Sequence, residues 1–149
     1  MNILLIVSYF PPEIGSASHL FYELSKSLSN KGHKVTVLTT FPRKYNVAQN
    51  SESLHKYKSR FYLKERIDNF KVIRVTTIPT LRDNFIIRGI EHFILPISLF
   101  IGGLFSKKQD IILIYSPPLH FGLTGYCLSK VKKIPFIVNI QDLFPQSLI

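Results

Sequence analysis

The amino-acid sequence predicts one α/β domain with a doubly wound, Rossmann-like parallel sheet. The chain has 149 residues, of which 46% are hydrophobic, and this size and composition suit a single domain with a buried core. Short apolar runs rich in β-branched residues alternate with helical patterns, as is typical of a parallel sheet. Four of these runs are predicted as buried strands: residues 3–7, 35–39, 111–115 and 136–140.

The first helix is predicted between the first two strands. Leu20, Leu24 and Leu28 recur there every four residues, and Gly32 follows at a position suited to ending a helix. Glu23 is expected on the outward face. With its flanking strands this helix would form a βαβ unit.

A hairpin is predicted in the middle of the chain. The extended segments 61–66 and 72–76 flank Asp68 and Asn69, two residues that favour turns. The second segment would then enter the sheet as the third parallel strand. Numbering the parallel strands along the chain, we expect the order 3-2-1-4-5 across the sheet. The polar residues 41–59 lack any period and are predicted as a long loop.

The most apolar segment covers residues 85–105. Charged residues interrupt its first half, and the uncharged run 93–105 is too short to span a bilayer. We expect a helix bent or begun near Pro96, either buried against the sheet or lying in a membrane interface. Gly102 and Gly103 would permit close packing in both cases.

The last complete helix is expected to begin at Ser116. Its hydroxyl would cap the first amides, and Pro117 would fit the first turn. Gly122 and Gly125 would share one face of this helix. Because neither carries a side chain, the helix could then lie close to the sheet.

Composition narrows the class of protein. Cys127 is the only cysteine, which excludes disulfide and zinc-finger frameworks and favours a reducing compartment such as the cytoplasm. The apolar run directly after Met1 lacks the basic flank and cleavage site of a secretion signal. The five histidines show no metal-ligand spacing, so we expect no metal.

Positive charge is concentrated in one part of the chain. The formal net charge is +10, and much of it falls within residues 43–74. A solvated basic surface is one explanation, and attraction to anionic lipid or to phosphorylated substrates is another. Nucleic acid is not expected as a partner, because the sequence has no finger motif, RNP-type aromatic box or arginine-rich helix.

A ligand site is expected where the winding of the sheet reverses, beyond the carboxyl ends of the strands. Residues 8–17 and 116–120 would line this crevice, and residues 139–142 would close one side. Gly15 and Ser16 would stand at the amino end of the first helix, where free amides and the helix dipole favour an anion. The alternative is that Gly15 only makes the turn and a serine only caps the helix. The loop contains neither the dinucleotide fingerprint nor a P-loop.

Other polar residues fall near the same edge. Asp142 follows the last strand, where its carboxylate would orient or deprotonate a substrate hydroxyl, or would cap the next helix. His120 would offer a neutral imidazole for hydrogen bonding. Asp110, by contrast, precedes a strand on the opposite rim and is predicted to be structural.

Four segments carry a resemblance to a known family. Residues 1–15, 31–39, 111–118 and 138–145 resemble, in this order, the N-terminal domain of family-4, retaining GT-B glycosyltransferases. The resemblance covers nearly the whole chain. It is closest to bacterial and archaeal enzymes of polysaccharide, O-antigen and capsule assembly, including fucosaminyltransferases.

The resemblance implies that residues 1–149 form the acceptor-side half of a GT-B enzyme, with the donor-binding domain absent from this sequence. It implies a metal-free, front-face transfer with retention, assisted by Asp142. The donor would be contacted by Gly15, Ser16 and Gln141. Ser16 stands where the family has a second glycine, and Gln141 stands where many relatives have histidine. The acceptor side would comprise three residues, Glu13, Ser116 and His120.

The implied partners are a nucleotide-sugar and a lipid-linked saccharide acceptor, met in the cytoplasm at the inner face of an anionic membrane. The nucleotide-sugar would be a substrate, so no cofactor is expected. Two alternatives remain open. One is a non-catalytic product, either truncated or a partner subunit, and the other is a Rossmann-like nucleotide-binding module. The missing fingerprint and the absence of an acidic residue after the second strand weigh against the module.

Overall fold

A computed structural model of the chain describes residues 1–42, 47, 57, 61–76, 85–116 and 120–141, with the backbone alone for 85–92. Within these residues the sheet strands are β1 (Asn2–Ile6), β2 (Lys34–Thr40), β3 (Tyr62–Ile67), β4 (Phe70–Val75), β5 (Ile111–Ser116) and β6 (Phe136–Ile140). The helices are α1 (Ser16–Asn30), α2 (Phe85–Leu104) and α3 (Phe121–Lys132).

The six strands form one sheet in the order β3-β4-β2-β1-β5-β6. All neighbours run parallel except β3, which pairs antiparallel with β4 at one edge. The predicted order of the five parallel strands is therefore confirmed, and so is the hairpin, whose turn is made by Asp68 and Asn69. Asp68 adopts a left-handed backbone conformation, with φ of 47°, which Asp and Asn tolerate better than most residues.

Helix α1 covers one face of the sheet. Its buried residues are Ser18, Phe21 and Ser25, and the aromatic ring of Phe21 packs 4.7 Å from that of Tyr115 on β5. The predicted helix is confirmed, and Leu24 and Leu28 pack against the core as expected, but Leu20 is exposed and the fully buried stripe includes Phe21. Small serines let the helix approach the sheet while one large ring fills the space between them. Gly32 follows the helix with a positive φ of 86°, as expected for a helix end.

Helices α2 and α3 cover the opposite face. Leu95 and Leu99 of α2 and Leu128 of α3 join a buried cluster with residues of the central strands. Gly102 lies so close to the sheet that a Cβ atom there would come within 2.4 Å of Val75, and one at Gly103 would come within 2.6 Å of Leu128. The prediction of close packing at these two glycines is confirmed, as is burial of one face of α2 against the sheet.

The beginning of α3 differs from the prediction. Ser116 is the last residue of β5 and pairs with Ile140, so it is not a helix cap. The helix begins at Phe121, and Pro117 lies outside the described residues. A Cβ at Gly125 would come within 1.8 Å of the side chain of Ile114, which confirms close packing there, whereas Gly122 has open space before it.

Strand β6 is an edge strand with half-exposed side chains, so the prediction that it is buried was wrong. Its apolar residues gave the same sequence signal as those of the central strands, because hydrophobicity alone does not reveal which strand lies at an edge. Most of the predicted loop 41–59 lies outside the described residues.

The amino-terminal edge of the sheet is fastened by Asp110. Its carboxylate accepts hydrogen bonds from the backbone amide of Asn2, at 2.6 Å, and from the side-chain amide of Asn2, at 3.3 Å. The backbone amide bond holds the pKa of Asp110 below its usual value. The structural role predicted for Asp110, far from the carboxyl ends of the strands, agrees with these contacts.

Candidate functional site

The winding of the sheet reverses between β1 and β5. These strands are neighbours, yet the chain leaves β1 toward α1 on one face and leaves β5 toward α3 on the other. The two connections therefore diverge and leave a crevice beyond the carboxyl ends of the two strands. This is the place at which the sequence predicted a ligand site.

Two buried serines lie near the carboxyl ends of the neighbouring strands β1 and β5. Ile6 of β1 pairs in register with Ile114 of β5, and Ser8 and Ser116 each lie two residues further along. Because side chains alternate between the faces of a sheet, Ser116 of β5 points to the face that carries α2 and α3, and Ser8 follows the end of β1. Both are buried, and neither hydroxyl has a hydrogen-bond partner among the described residues. Buried polar groups nearly always have hydrogen-bond partners. Two buried hydroxyls without partners at neighbouring strand ends therefore indicate a place for a polar ligand or water.

The loop after β1 brings the amino end of α1 to the crevice. Gly15 is the N-cap residue, and no side chain caps the helix. Its φ of 164° is an extended conformation that any residue adopts, so the turn does not need a glycine there. The hydroxyl of Ser18 donates instead to the carbonyl of Glu13, at 2.7 Å. The alternative in which Gly15 makes the turn and Ser16 or Ser18 caps the helix is therefore not what the structure contains.

The first turn of α1 is consequently open to an anion. The amide of His19 bonds to the carbonyl of Gly15, which leaves the preceding amides of the turn without intrahelical partners. Ser16 is exposed, and a Cβ at Gly15 would meet no atom within 4 Å. Free amides at the positive end of the helix dipole, approached through empty space, suit a phosphate or carboxylate.

The remaining predicted residues are placed as follows. Gln141 is exposed, and its backbone N–H donates to the backbone carbonyl of Ser116 at 3.1 Å, so the residue lies next to Ser116. His120 immediately precedes α3, with its ring against that of Phe121. Glu13 is buried within the loop after β1 rather than exposed on the rim. Asp142 lies outside the described residues, so its predicted role stays a prediction.

Arg74 is a functional candidate that sequence reasoning missed. This fully buried side chain of β4 bonds to Glu65 of β3 at 2.5 Å, to the carbonyl of Thr40 at 3.3 Å, and to the carbonyl of Pro11. Its guanidinium also lies 5.0 Å from the centre of the Tyr57 ring. The guanidinium of Arg74 thereby links the loop after β1 to strands β2, β3 and β4.

A signal for this role was present in the strand pattern. Phe70, Val72 and Arg74 alternate along β4, and the first two belong to the core under α1. An arginine in the next position of that series is directed into the core and must find a partner, because buried charges are rarely left unpaired. Glu65 on the neighbouring strand supplies it.

The described residues contain neither a metal-binding cluster nor a helix that could span a membrane. No group of three or more His, Cys, Asp or Glu side chains there could hold a metal ion. No helix in the same part of the chain is both long enough and apolar enough to cross a membrane.

Comparison with known proteins gives information on the fold alone. No family model matches the chain, and no curated protein matches it either. Among solved structures, the C-terminal domain (residues 83–215) of PF1911 hydrogenase from Pyrococcus furiosus is similar at 16% identity, with a TM-score of 0.57. The alignment covers 93% of this chain and 90% of that one. A second structure of that domain (residues 78–226) is similar at 17% identity over 93% and 89% of the two chains, with a TM-score of 0.55.

Proposed function

We infer that this domain is the acceptor-side half of a retaining glycosyltransferase of the GT-B type, acting in cell-surface polysaccharide assembly at the cytoplasmic face of a membrane. The observation that carries the proposal is the uncapped amino end of α1, which follows the carboxyl end of β1, together with the buried, unpartnered hydroxyls of Ser8 and Ser116 near the carboxyl ends of β1 and β5. Sugar transfer from a nucleotide donor requires an anion site for the diphosphate beside hydrogen-bonding groups for the sugars. The resemblance of four sequence segments to family-4 enzymes supports the same conclusion.

Each group has a role in this proposal. The amides of Ser16 and the two residues after it stabilise the leaving diphosphate, whose negative charge grows as the glycosidic bond breaks. Ser8 and Ser116 donate to, or accept from, hydroxyls of a bound sugar, while Gln141 borders the donor. The leaving diphosphate takes the acceptor's proton, assisted by Asp142, so the reaction needs no metal. The nucleotide itself is held by the second half of such an enzyme.

Arg74 is a positioning residue in this scheme. It contacts the carbonyl of Pro11, four residues before Gly15, and so fixes the loop that presents the amino end of α1. A site organised in this way holds its anion-binding amides in place before a ligand arrives. Such preorganisation is what makes hydrogen-bond donors effective toward developing charge.

Binding of inorganic pyrophosphate to the 149-residue chain tests the anion site. In amide NMR spectra of the ¹⁵N-labelled chain, we expect titration to shift the amides of residues 16–18 most. Gly15→Val places a side chain before these amides and should weaken binding roughly tenfold, or about 1.4 kcal/mol. His19→Val is the matched control, since it places the same side chain on the exposed surface one turn later.

Two outcomes would count against the proposal. Shifts confined to amides near surface lysines would mean that pyrophosphate follows only the net charge of the domain. Equal affinity in Gly15→Val and the unmodified chain would mean that the α1 amides do not bind it. Sugar transfer is a separate measurement: the 149-residue chain alone should show none with any nucleotide-sugar, because the donor pocket belongs to the other half.

A further inference from the structure

The outer face of α2 is apolar along the whole part of the helix whose side chains are described. From residue 93 to residue 105, Ser98 is the only polar side chain, and it lies at the flank of the helix rather than on its outer face. Phe93, Ile97 and Phe105 are 78%, 58% and 67% exposed. Positions spaced by four residues form one stripe on a helix, here about 18 Å long. Helices on domain surfaces normally present polar residues there.

An apolar groove lies beside this stripe. It has a volume of about 470 Å³ and runs between α2 and the β3–β4 hairpin, within the size range of roughly 300–1,000 Å³ typical of small-molecule sites. Ile101 and Phe105 form one wall and Phe61 and Tyr62 the other, while Gly102 forms part of the lining. Phe61 is 81% exposed, so the groove is open to solvent and continuous with the stripe.

The charges around this surface have one sign. Strands β3 and β4 direct Lys64, Arg66 and Lys71 to the α2 face, because these positions alternate with Glu65 and Arg74 on the other face. Lys107 and Lys108 follow α2 directly and are exposed. None of the described carboxylates lies on this surface. Glu13 and Glu23 belong to the loop before α1 and to α1 itself, and Glu65 is paired with Arg74. Asp68 lies in the hairpin turn, and Asp110 lies at the amino-terminal edge of the sheet.

We propose that this face docks on an anionic lipid bilayer and that the groove takes one acyl chain. A bilayer interface matches the observations at three points. The stripe is continuous and nearly free of hydrogen-bonding groups, which suits insertion below the head groups. The groove is apolar and open on the same side. The lysines and arginine around this face would meet anionic head groups. The inference does not depend on sugar transfer.

Vesicle flotation with the 149-residue chain tests the docking. We expect the chain to float with vesicles of phosphatidylcholine and phosphatidylglycerol at low salt, and much less with pure phosphatidylcholine. The double variant Phe93→Gln, Ile97→Gln should lower partitioning at least tenfold. Leu20→Gln, at an exposed leucine of α1 on the opposite face, is the matched control and should leave partitioning unchanged.

The electrostatic contribution is tested separately. Lys107→Ala and Lys108→Ala should each lower partitioning to anionic vesicles roughly five-fold, an effect that salt removes.

Fluorescence quenching locates the inserted surface. The chain contains no tryptophan, so Phe105→Trp provides a single reporter at the groove and Leu20→Trp an equivalent one on α1. Phosphatidylcholine brominated on its acyl chains, mixed with phosphatidylglycerol, should quench the first reporter strongly and the second little. Absence of flotation with the anionic vesicles, or equal quenching of both reporters, overturns the proposal. So does a dimer in solution that Phe93→Gln, Ile97→Gln converts to a monomer, because the face would then be covered by a second copy.

Discussion

Helices α1 and α2 both cover the sheet, but their outer faces differ. The outer side of α1 carries Glu23 and Lys26, with Leu20 as its one exposed large apolar side chain. The outer side of α2 carries phenylalanine, isoleucine and leucine, although its inner side is packed as well as that of α1. Secondary structure and burial against the sheet therefore do not distinguish the two helices. Of the two, only α2 presents a continuous apolar surface to water.

The largest expected effect concerns the α1 side. Arg74→Met should destabilise the chain by about 3–5 kcal/mol, because the nearly buried carboxylate of Glu65 would lose the guanidinium that neutralises its charge. Urea unfolding followed by circular dichroism measures the loss. The double variant Arg74→Met, Glu65→Met should recover much of the stability. If Arg74→Met alone cost as little as the surface substitution Lys26→Met, the buried pair would not hold this region together.

The next effect concerns the packing of α3 on the α2 side. Gly125→Ala should cost about 1–3 kcal/mol, because its Cβ would fall 1.8 Å from the Cδ1 atom of Ile114. Gly122→Ala has open space in the same helix and should be neutral or stabilising by up to about 1 kcal/mol. The difference between their urea midpoints checks the prediction. Equal midpoints would show that Ile114 simply rotates away.

A smaller effect depends on pH and involves the edge opposite the crevice. The pKa of Asp110 is lower in the folded chain than in the unfolded one, because the Asn2 amide stabilises the carboxylate. Its contribution is therefore present above the unfolded pKa of about 3.9 and is lost as the pH falls through the folded pKa. The unmodified chain should be more stable than Asp110→Asn at neutral pH, and the gap should narrow in acid. Urea midpoints taken across this range would contradict the prediction if the gap were constant.

The smallest expected effect concerns the exposed side chains on the outer face of α2. Phe93→Gln and Ile97→Gln should each change the free energy of unfolding in water by no more than about 0.5 kcal/mol, because both side chains are exposed. Thermal unfolding measures this directly. A loss of several kcal/mol would mean that the outer face of α2 is already packed within the isolated chain, and the contrast with α1 would disappear.

Much of the fold could be predicted from the sequence. The central strands are continuous apolar runs, and chain order together with the right-handed crossover rule leaves few arrangements for them. Gly102 and Gly125 were correctly assigned to close packing, since glycine in a helix is costly unless something needs the space. The position of the expected crevice follows from topology, and the observed strand order is the one from which that position was inferred.

Other features could not be predicted, for physical reasons. In α1, Phe21 is fully buried with its ring against Tyr115, whereas Leu20 is exposed, and a four-residue spacing of leucines does not show which neighbouring position faces the sheet. Serine is common at the N-cap of helices, yet pairing with β6 keeps Ser116 in the sheet. Arg74 and Glu65 lie in adjacent strands, and their ion pair depends on hairpin register, which residue spacing alone does not fix.

The two neighbouring glycines of α2 have a consequence for orientation. Gly102 contacts the sheet and Gly103 contacts α3, so the helix is held on two sides at one point without using a side chain. The large residues of that turn are left to project away from the domain. A domain docked through them would hold its sheet flat along the bilayer, with the strands parallel to the membrane surface. The crevice beyond the strand ends would then open sideways, at a level where a head group still anchored in the same leaflet can enter it.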